Sequence, residues 1–181
     1  MYPIIRTFKE VFVNKRRPKL PPLGTHVSYH RCWPQDIDVY LEMNNGRILT
    51  IMDLGRTGLG IRTGLVATLR RNGWGLTMAG ASVRYRKRIR PFTRFRMVSK
   101  LIGWDDKFMY LDQSIWIGSD CAVQILYRSA ATSKTGIVKP ERLLSEMGLS
   151  DPTPRLPDWA QGWIDADRAR PWPPVDHGAE T

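Results

Sequence analysis

The sequence has little of what metal sites, disulfide frameworks and membrane spans require. Its 181 residues include three histidines and two cysteines, and Cys32 and Cys121 stand far apart and outside any paired motif. This pattern predicts neither a zinc site nor a disulfide, and we expect two buried thiols. No apolar run approaches the roughly 20 residues that a membrane-spanning helix needs.

Two of the histidines lie in one predicted strand, from His26 to Trp33. His26 and His30 share a face of that strand, but four residues of extended chain separate them by roughly 13 Å. This separation is too large for two ligands of one ion. We therefore expect no metal site and no bound cofactor.

Acidic residues are also scarce, since 17 Asp and Glu stand against 28 Lys and Arg, for a net charge of +11. Such a chain attracts polyanions, whether nucleic acid, anionic lipid or a phosphate-bearing ligand. The composition, 42% hydrophobic and 25% charged, is that of a soluble globular protein. The length fits one domain with one site.

The first segment, residues 1–22, mixes apolar and basic side chains and ends in prolines. It carries charges from Arg6 onward and no cleavage-site pattern, so it does not resemble a secretory signal, and we expect a cytoplasmic protein. Its spacing predicts an amphipathic helix that packs on its own domain. Peripheral contact of this helix with an anionic membrane is the alternative.

The middle of the chain, residues 23–148, predicts a single α+β domain. A polar stretch follows the first strand, and a helix with one apolar stripe begins at Asn44 or Asn45, either of which can cap it. A second helix runs from Leu65 to Arg71. Aromatic and β-branched residues then predict four strands, Trp74–Arg90, Phe95–Trp104, Phe108–Ile117 and Cys121–Ala131. A short helix, Pro140–Met147, completes the domain.

The last segment, residues 149–181, is rich in proline and tryptophan. Trp159 and Trp163 stand one helical turn apart. Exposed tryptophans at this density would promote aggregation, so we expect the segment to cover a hydrophobic surface of this domain or of a neighbour.

The most informative stretch lies between the first strand and the long helix. Asp36 and Asp38 are one residue apart on the loop that leads into the helix N-terminus. A helix N-terminus offers unpaired amides and positive dipole character, which can polarise a carbonyl oxygen. A nearby carboxylate can then act on the carbonyl carbon, either directly or through water. Capping of loop amides by the two aspartates is the structural alternative.

The run Asp36-Ile37-Asp38, three further residues, then Glu42-Met43-Asn44-Asn45-Gly46-Arg47 opens a helix that continues to Asp53 and Arg56. This combination resembles the hotdog-fold acyl-CoA thioesterases of the hydroxybenzoyl-CoA thioesterase-like group. The resemblance covers about residues 26–129, outside the first segment and the tryptophan-rich tail. It implies a hotdog fold, in which a long central helix packs on a curved antiparallel β-sheet.

The resemblance also implies a homo-oligomer, a dimer or tetramer, with the site at an interface between protomers. Carried over by position, Asp38 matches the catalytic aspartate of the family, and Asp36 matches an acid that holds the loop in shape. Asn44, Asn45 and Gly46 would orient the loop or bind the thioester oxygen. Coenzyme A would enter only as part of the acyl-CoA substrate.

One position departs from the family pattern, because Glu42 stands where many relatives have histidine. A group that is normally anionic replaces an imidazole that titrates near neutral pH. Glu42 is either a second catalytic carboxylate, kept partly protonated by its acidic neighbours, or the mark of a lost chemical step. We therefore expect a thioester hydrolase, with a non-catalytic acyl-CoA or acyl-carrier binding protein as the alternative.

Arginines alternate with other residues at the end of the predicted strand Trp74–Arg90. Because strand side chains alternate between two faces, we expect one face to carry Arg84, Arg86, Arg88 and Arg90. This face is a candidate for the phosphates of coenzyme A, since guanidinium groups pair well with phosphate. A solvated surface balanced by nearby acids is the alternative.

Nucleic acid is a remote alternative partner for the same basic face. Single-stranded nucleic acid binds where arginines and exposed aromatic rings share one surface. Tyr85 is predicted to point to the opposite face, which weighs against this function.

Overall fold

The computed structural model describes residues 2–178 and consists of a six-stranded antiparallel sheet with helices on both faces. The helices are α1 (Ile4–Arg16), α2 (Asn45–Arg62), α3 (Leu65–Asn72), α4 (Pro140–Glu146) and α5 (Asp158–Ala169). The strands are β1 (Thr25–Arg31), β2 (Gly75–Tyr85), β3 (Arg94–Trp104), β4 (Met109–Ile117), β5 (Asp120–Ser133) and β6 (Gly136–Val138). The order across the sheet is β1-β3-β4-β5-β2, and β6 pairs with the end of β5.

The long helix α2 forms the centre of the molecule. Asn44 caps its N-terminus, since the Asn44 side chain accepts a hydrogen bond from the Arg47 amide at 3.1 Å. Ile48, Ile51 and Met52 bury one stripe of the helix in the main core beneath the sheet. The predicted α+β class, a long central helix on a curved antiparallel sheet, is therefore confirmed.

Two glycines let α2 lie directly on the sheet. A β-carbon at Gly55 would stand 2.5 Å from the Met97 sulphur and 2.7 Å from the Ser99 hydroxyl oxygen. A β-carbon at Gly58 would overlap the buried ring of His26. Larger residues at these two positions would push the helix away from β1 and β3.

The tail packs on the outer face of the sheet through α5. Tyr110 and Leu126 of the sheet form a buried cluster with Ala160 and Ile164 of the helix. The guanidinium of Arg128 lies over the rings of Phe108 and Trp163 and pairs with Asp167 at 2.6 Å. Part of the tail thus covers an apolar surface of its own domain, while Trp172 stays exposed.

Several expectations for the chain need correction. Strand β2 ends at Tyr85 rather than at Arg90, and neither β6 nor α5 was predicted as a regular element. Cys32 is buried, but Cys121 is only half-buried, so the prediction of two buried thiols was wrong for Cys121. Within residues 2–178, no helix is both long enough and apolar enough to cross a bilayer.

Two Gly→Ala substitutions should have opposite effects on stability, because one glycine lies where α2 touches the sheet and the other faces open space. Gly58→Ala should lower the free energy of unfolding by about 1–3 kcal/mol, because the new methyl group overlaps the His26 ring. Gly162→Ala in α5 should raise it by about 0.5–1 kcal/mol, because open space surrounds that position and alanine favours helix. Urea unfolding of both variants measures the difference. A stabilising Gly58→Ala would show that the contact between helix and sheet is not tight.

Candidate active site

A buried carboxylate organises the loop between β1 and α2. Asp36 closes a single turn of 3-10 helix and is 1% exposed. Its two oxygens accept from the Trp33 amide at 2.9 Å and from the Arg47 Nε at 2.7 Å. Arg6 of α1 completes the set with an ion pair at 2.8 Å. One side chain thus joins α1, the loop and the first turn of α2.

The partners of Asp36 also fix its charge state. Burial alone would raise the pKa of the carboxyl. The hydrogen bonds from Trp33 and Arg47, together with the charge of Arg6, outweigh burial and hold the pKa of Asp36 below its ordinary value. Asp36 is therefore ionised and fully engaged, a geometry that serves the shape of the loop rather than chemistry on a ligand.

Asp38 has a different environment, although it is only two residues away. Its backbone amide donates to the Glu42 carbonyl at 2.9 Å, and its Oδ1 accepts from the Tyr40 amide at 2.9 Å. This tight turn leaves the Asp38 side chain half-buried and projects three exposed apolar residues, Val39, Tyr40 and Leu41, from its tip. Leu41 takes the left-handed backbone conformation, with φ of 59°.

Asp38 lines a groove of about 590 Å³ at the N-terminus of α2, which we call the acid groove. The groove is lined by Tyr2, Gln35, Asp36, Ile37, Asp38, Val39, Asn44, Arg47 and Thr50. The amides of Asn45 and Gly46 belong to the first helical turn, where helix geometry provides no intrahelical acceptor, and they lie in sequence between Asn44 and Arg47, which line the groove. The positive end of α2 and the Asp38 carboxylate therefore meet at one place.

Glu42 and Asn45 face a separate space. Glu42 pairs with the Arg88 Nε at 3.0 Å. Glu42 and Asn45 line a small pocket of about 210 Å³, together with Arg86 and Arg88. We call it the arginine pocket. Among the predicted site residues, the structure therefore brings Asp38 together with Asn44, and Glu42 with Asn45.

The prediction that four arginines share one strand face was wrong. The amides of Arg86 and Lys87 both donate to the Ala122 carbonyl, and this shared acceptor ends the regular pairing of β2. Ile89 then turns into the core, where its carbonyl accepts from the Met43 amide. The arginines diverge as a result: Arg84 lies beside Trp159 and Trp163, Arg86 and Arg88 line the arginine pocket, and Arg90 is exposed. The expectation that Tyr85 points away from the arginines was wrong as well, since Tyr85 lines the arginine pocket together with Arg86 and Arg88.

An apolar pocket of about 440 Å³, which was not predicted from the sequence, lies between α2, α3, α4 and the sheet. Its apolar lining comprises Leu59, Leu65, Val66, Leu69, Leu76, Met78, Leu101, Met109, Leu111, Leu144 and Met147. Asp53, Arg56 and Thr57 of α2 provide polar groups in its wall. Asp53 pairs with Arg56, whose guanidinium lies 3.9 Å from the centre of the Tyr127 ring.

The apolar pocket and the acid groove follow one another along the same side of α2. Thr50 lines the groove, Asp53 and Thr57 line the pocket, and Tyr2 lines both. Residues 50, 53 and 57 repeat at helical spacing. This polar stripe beside the buried stripe of the central helix is the signal in the sequence that could have revealed the pocket.

Comparison with known proteins agrees with this architecture. A family model described as the thioesterase-like superfamily matches residues 32–164, from the acid loop into α5. Protein THEM6 of Drosophila melanogaster is 34% identical over 145 residues, which cover 78% of this chain and 73% of that protein. The name of that relative states no reaction.

Solved structures show the same fold at low sequence identity. A putative oleoyl thioesterase from Lactobacillus plantarum is similar with a TM-score of 0.65 and 16% identity, covering 75% of this chain and 54% of that chain. The Staphylococcus aureus protein SAV2348, whose structure contains CoA, is similar with a TM-score of 0.62 and 13% identity, covering 80% of this chain and 96% of that one. The hotdog fold implied by the acid-loop motif is therefore confirmed.

The buried ion pairs of Asp36 predict a large stability effect for one substitution. Asp36→Asn should lower the free energy of unfolding by about 3–5 kcal/mol, because it leaves Arg6 and Arg47 together without an anion. Arg155→Gln is the matched control, since Arg155 and Asp158 form an exposed pair worth about 0–1 kcal/mol. Chemical denaturation at neutral pH measures both.

The contribution of Asp36 has a defined pH range. Because the folded protein lowers the pKa of Asp36 below its ordinary value of 3.8, the stabilisation is complete above that value and is lost as the pH falls through the lower, folded pKa.

Equal effects of Asp36→Asn and Arg155→Gln would contradict the role assigned to the buried carboxylate.

Proposed function

The chain belongs to the thioesterase-like superfamily, and on that basis we propose that it hydrolyses the thioester bond of an acyl-CoA. One observation carries the proposal: the Asp38 carboxylate lines a groove at the N-terminus of the central helix, and Tyr2 lines both this groove and an apolar pocket further along the same helix. This arrangement provides a reactive acid, a positive helix end and a space for an acyl chain.

In the proposed reaction, the thioester carbonyl oxygen accepts hydrogen bonds from the first-turn amides of Asn45 and Gly46. Asp38 then attacks the carbonyl carbon, or takes a proton from a water molecule that attacks it. In the first case the C–S bond breaks, the thiolate of coenzyme A leaves, and water cleaves the resulting acyl anhydride. In the second case water supplies the oxygen directly. Both routes release a free acid and coenzyme A.

Asp38 is favoured over the other acids of the region as the reacting group. Asp36 is saturated by three donors, and Glu42 pairs with Arg88 in the arginine pocket. Asp53 reaches the apolar pocket, but the neighbouring Arg56 neutralises it. Asp38 has a backbone amide as its partner, which orients the carboxylate without compensating its charge.

The lining of the apolar pocket favours an aliphatic acyl group. Leucine, valine and methionine dominate the wall, and methionine side chains adapt to flexible chains. In this arrangement the acyl chain follows the polar stripe of α2 past Tyr2 and enters the pocket. Arg86 and Arg88 then remain as candidates for the phosphates of coenzyme A, because the arginine pocket also contains Asn45 of the first helical turn.

The active form in this proposal is a homo-oligomer, at least a dimer, in the cytoplasm. Strand β2 stands at the end of the sheet order, and its Leu76 and Met78 are 48% and 45% exposed. Sheet edges with exposed apolar residues favour pairing with another strand. Two copies of β2, related by a two-fold axis, would extend the sheet across the dimer and cover these side chains.

The alternative function is an acyl-CoA or acyl-carrier binding protein without turnover. Glu42 in place of the usual histidine supports it, since Arg88 holds the Glu42 carboxylate away from the acid groove. Saturable acyl-CoA binding by isothermal calorimetry, together with no release of free thiol, would favour this alternative.

Asp38→Asn tests the catalytic proposal directly. The wild type should release free coenzyme A from a panel of aliphatic and aromatic acyl-CoA substrates, measured with a thiol reagent. Asp38→Asn should lower kcat by at least about 100-fold, because it removes the acting carboxylate. Asp106→Asn in an exposed turn is the matched control and should retain full activity. Undiminished turnover by Asp38→Asn, with a large loss in Asp53→Asn, would transfer the role to Asp53.

Ala81→Lys tests the assembly. Ala81 is exposed on β2, so a lysine there should leave the protomer folded while the two-fold axis brings like charges close together. We expect the dissociation constant of the dimer, measured by sedimentation velocity, to rise at least about tenfold. Ser119→Lys in the exposed β4–β5 turn is the control. An unchanged dimer in Ala81→Lys would place the interface elsewhere.

A further inference from the structure

The N-terminal helix α1 is inverted with respect to the usual amphipathic arrangement. Its buried residues are the polar Glu10 and Asn14, whereas Ile5, Phe8 and Phe12 are 86%, 71% and 60% exposed. The expectation that this helix packs on its own domain holds, but its polar face makes the contact. An apolar face exposed to this degree indicates a binding surface.

Specific contacts hold α1 in this orientation. Arg6 reaches the buried carboxylate of Asp36. The Asn14 side chain donates to the Glu10 carboxylate at 3.0 Å and occupies space that a β-carbon at Gly58 would fill. Rolling the helix to bury its phenylalanines would break the Arg6–Asp36 ion pair and move Asn14 away from Gly58. It would also leave the Asp36 carboxylate with one arginine fewer. The outward apolar face is therefore built into the fold.

Basic side chains accompany the apolar face. Exposed Ile4, Ile5, Phe8 and Phe12 repeat at helical spacing, and Lys9, Lys15 and Arg16 lie on or beside the same side of the helix. The Arg16 guanidinium stands 3.5 Å from the centre of the Phe12 ring, so cationic and apolar groups are in direct contact. Apolar groups with a rim of lysine and arginine match the interface of an anionic bilayer, where the rings enter the acyl boundary and the cations meet the headgroups.

We propose that α1 lies on an anionic lipid surface through Ile4, Ile5, Phe8 and Phe12, with Lys9, Lys15 and Arg16 at the headgroups. A second copy of the chain fits this face less well. A two-fold contact would bring the same basic side chains of both copies together, and like charges in contact oppose association. The surface proposal does not depend on the thioesterase proposal.

If the proposed function also holds, the location of α1 gives lipid contact a role. Tyr2 stands just before α1 and lines both the acid groove and the apolar pocket. A helix that rests on a bilayer would therefore bring the entrance of the site to the depth at which amphiphilic acyl thioesters partition.

Vesicle co-sedimentation of the full chain tests the proposal. The probes are vesicles of phosphatidylcholine alone and of phosphatidylcholine mixed with phosphatidylserine. The wild type should bind the mixed vesicles more tightly. Phe8→Gln with Phe12→Gln should weaken binding at least about tenfold, because two rings no longer enter the bilayer. Ile137→Gln with Val175→Gln, two exposed apolar residues elsewhere, is the matched control and should bind like the wild type.

A second pair of variants separates the α1 surface from the general positive charge. Lys15→Gln with Arg16→Gln should weaken binding to the mixed vesicles by about fivefold per charge. Lys134→Gln with Lys139→Gln removes the same charge from exposed positions elsewhere and should have a much smaller effect. Equal losses from the two pairs would overturn the proposal, because they would reduce binding to net charge.

Two other results would also overturn it. One is wild-type binding to the mixed vesicles that the phenylalanine variant leaves unchanged. The other combines two observations: the wild type does not bind the vesicles, and the phenylalanine variant has a lower oligomer mass than the wild type in sedimentation velocity. A second copy of the chain would then cover α1. Turnover of a short-chain, water-soluble acyl-CoA by the phenylalanine variant tests the thioesterase proposal separately, because vesicle binding needs no reaction.

Discussion

The fold around the site depends on one buried anion. Asp36 receives a hydrogen bond from the loop that contains it, an ion pair from α1 and another from the first turn of α2. Each partner belongs to a different part of the chain, so the carboxylate fixes three positions relative to one another. The orientation of α1, the course of the acid loop and the free end of α2 all follow from this contact. A buried charge of this kind is stable only while its partners remain in place.

The same contact gives the neighbouring acids different environments. Arg6 and Arg47 pair with Asp36, whereas Asp38 lines the groove and accepts a hydrogen bond from a backbone amide. Glu42, four residues after Asp38, pairs with Arg88 and does not line the groove. Three acids that look alike in sequence therefore have three environments, and the environments rather than the residue types determine what each can do. The amides at the start of α2 complete the place where a carbonyl would be polarised.

The sequence predicted those parts of the fold that local rules determine. Asn44, one of the two predicted caps, does cap α2, because its side chain accepts from an amide of the first turn. The second helix begins at Leu65 as predicted and ends at Asn72, one residue beyond the predicted Arg71. The course after Tyr85 was mispredicted because period-two alternation cannot show that two successive amides share the Ala122 carbonyl. The inward polar face of α1 was missed for a similar reason: the partner that reverses it, Asp36, lies thirty residues away.

The site was predictable only as far as its motif extends. The acid loop and the helix start carry a recognisable pattern, whereas the apolar pocket is assembled from α2, α3, α4 and four strands that no local pattern connects. The distribution of Asp38 and Glu42 between two pockets depends on where Arg88 falls, and that position depends on the end of β2.

The packing of α5 on the outside of the sheet has an evolutionary consequence. Tyr110 and Leu126 point away from the central helix and are buried because α5 covers them. A relative that has lost this helix would expose both side chains to water, so hydrophilic residues should replace them there. The residue types at these two positions should therefore covary with the presence of the C-terminal helix, and Arg128 and Asp167 should appear and disappear as a pair.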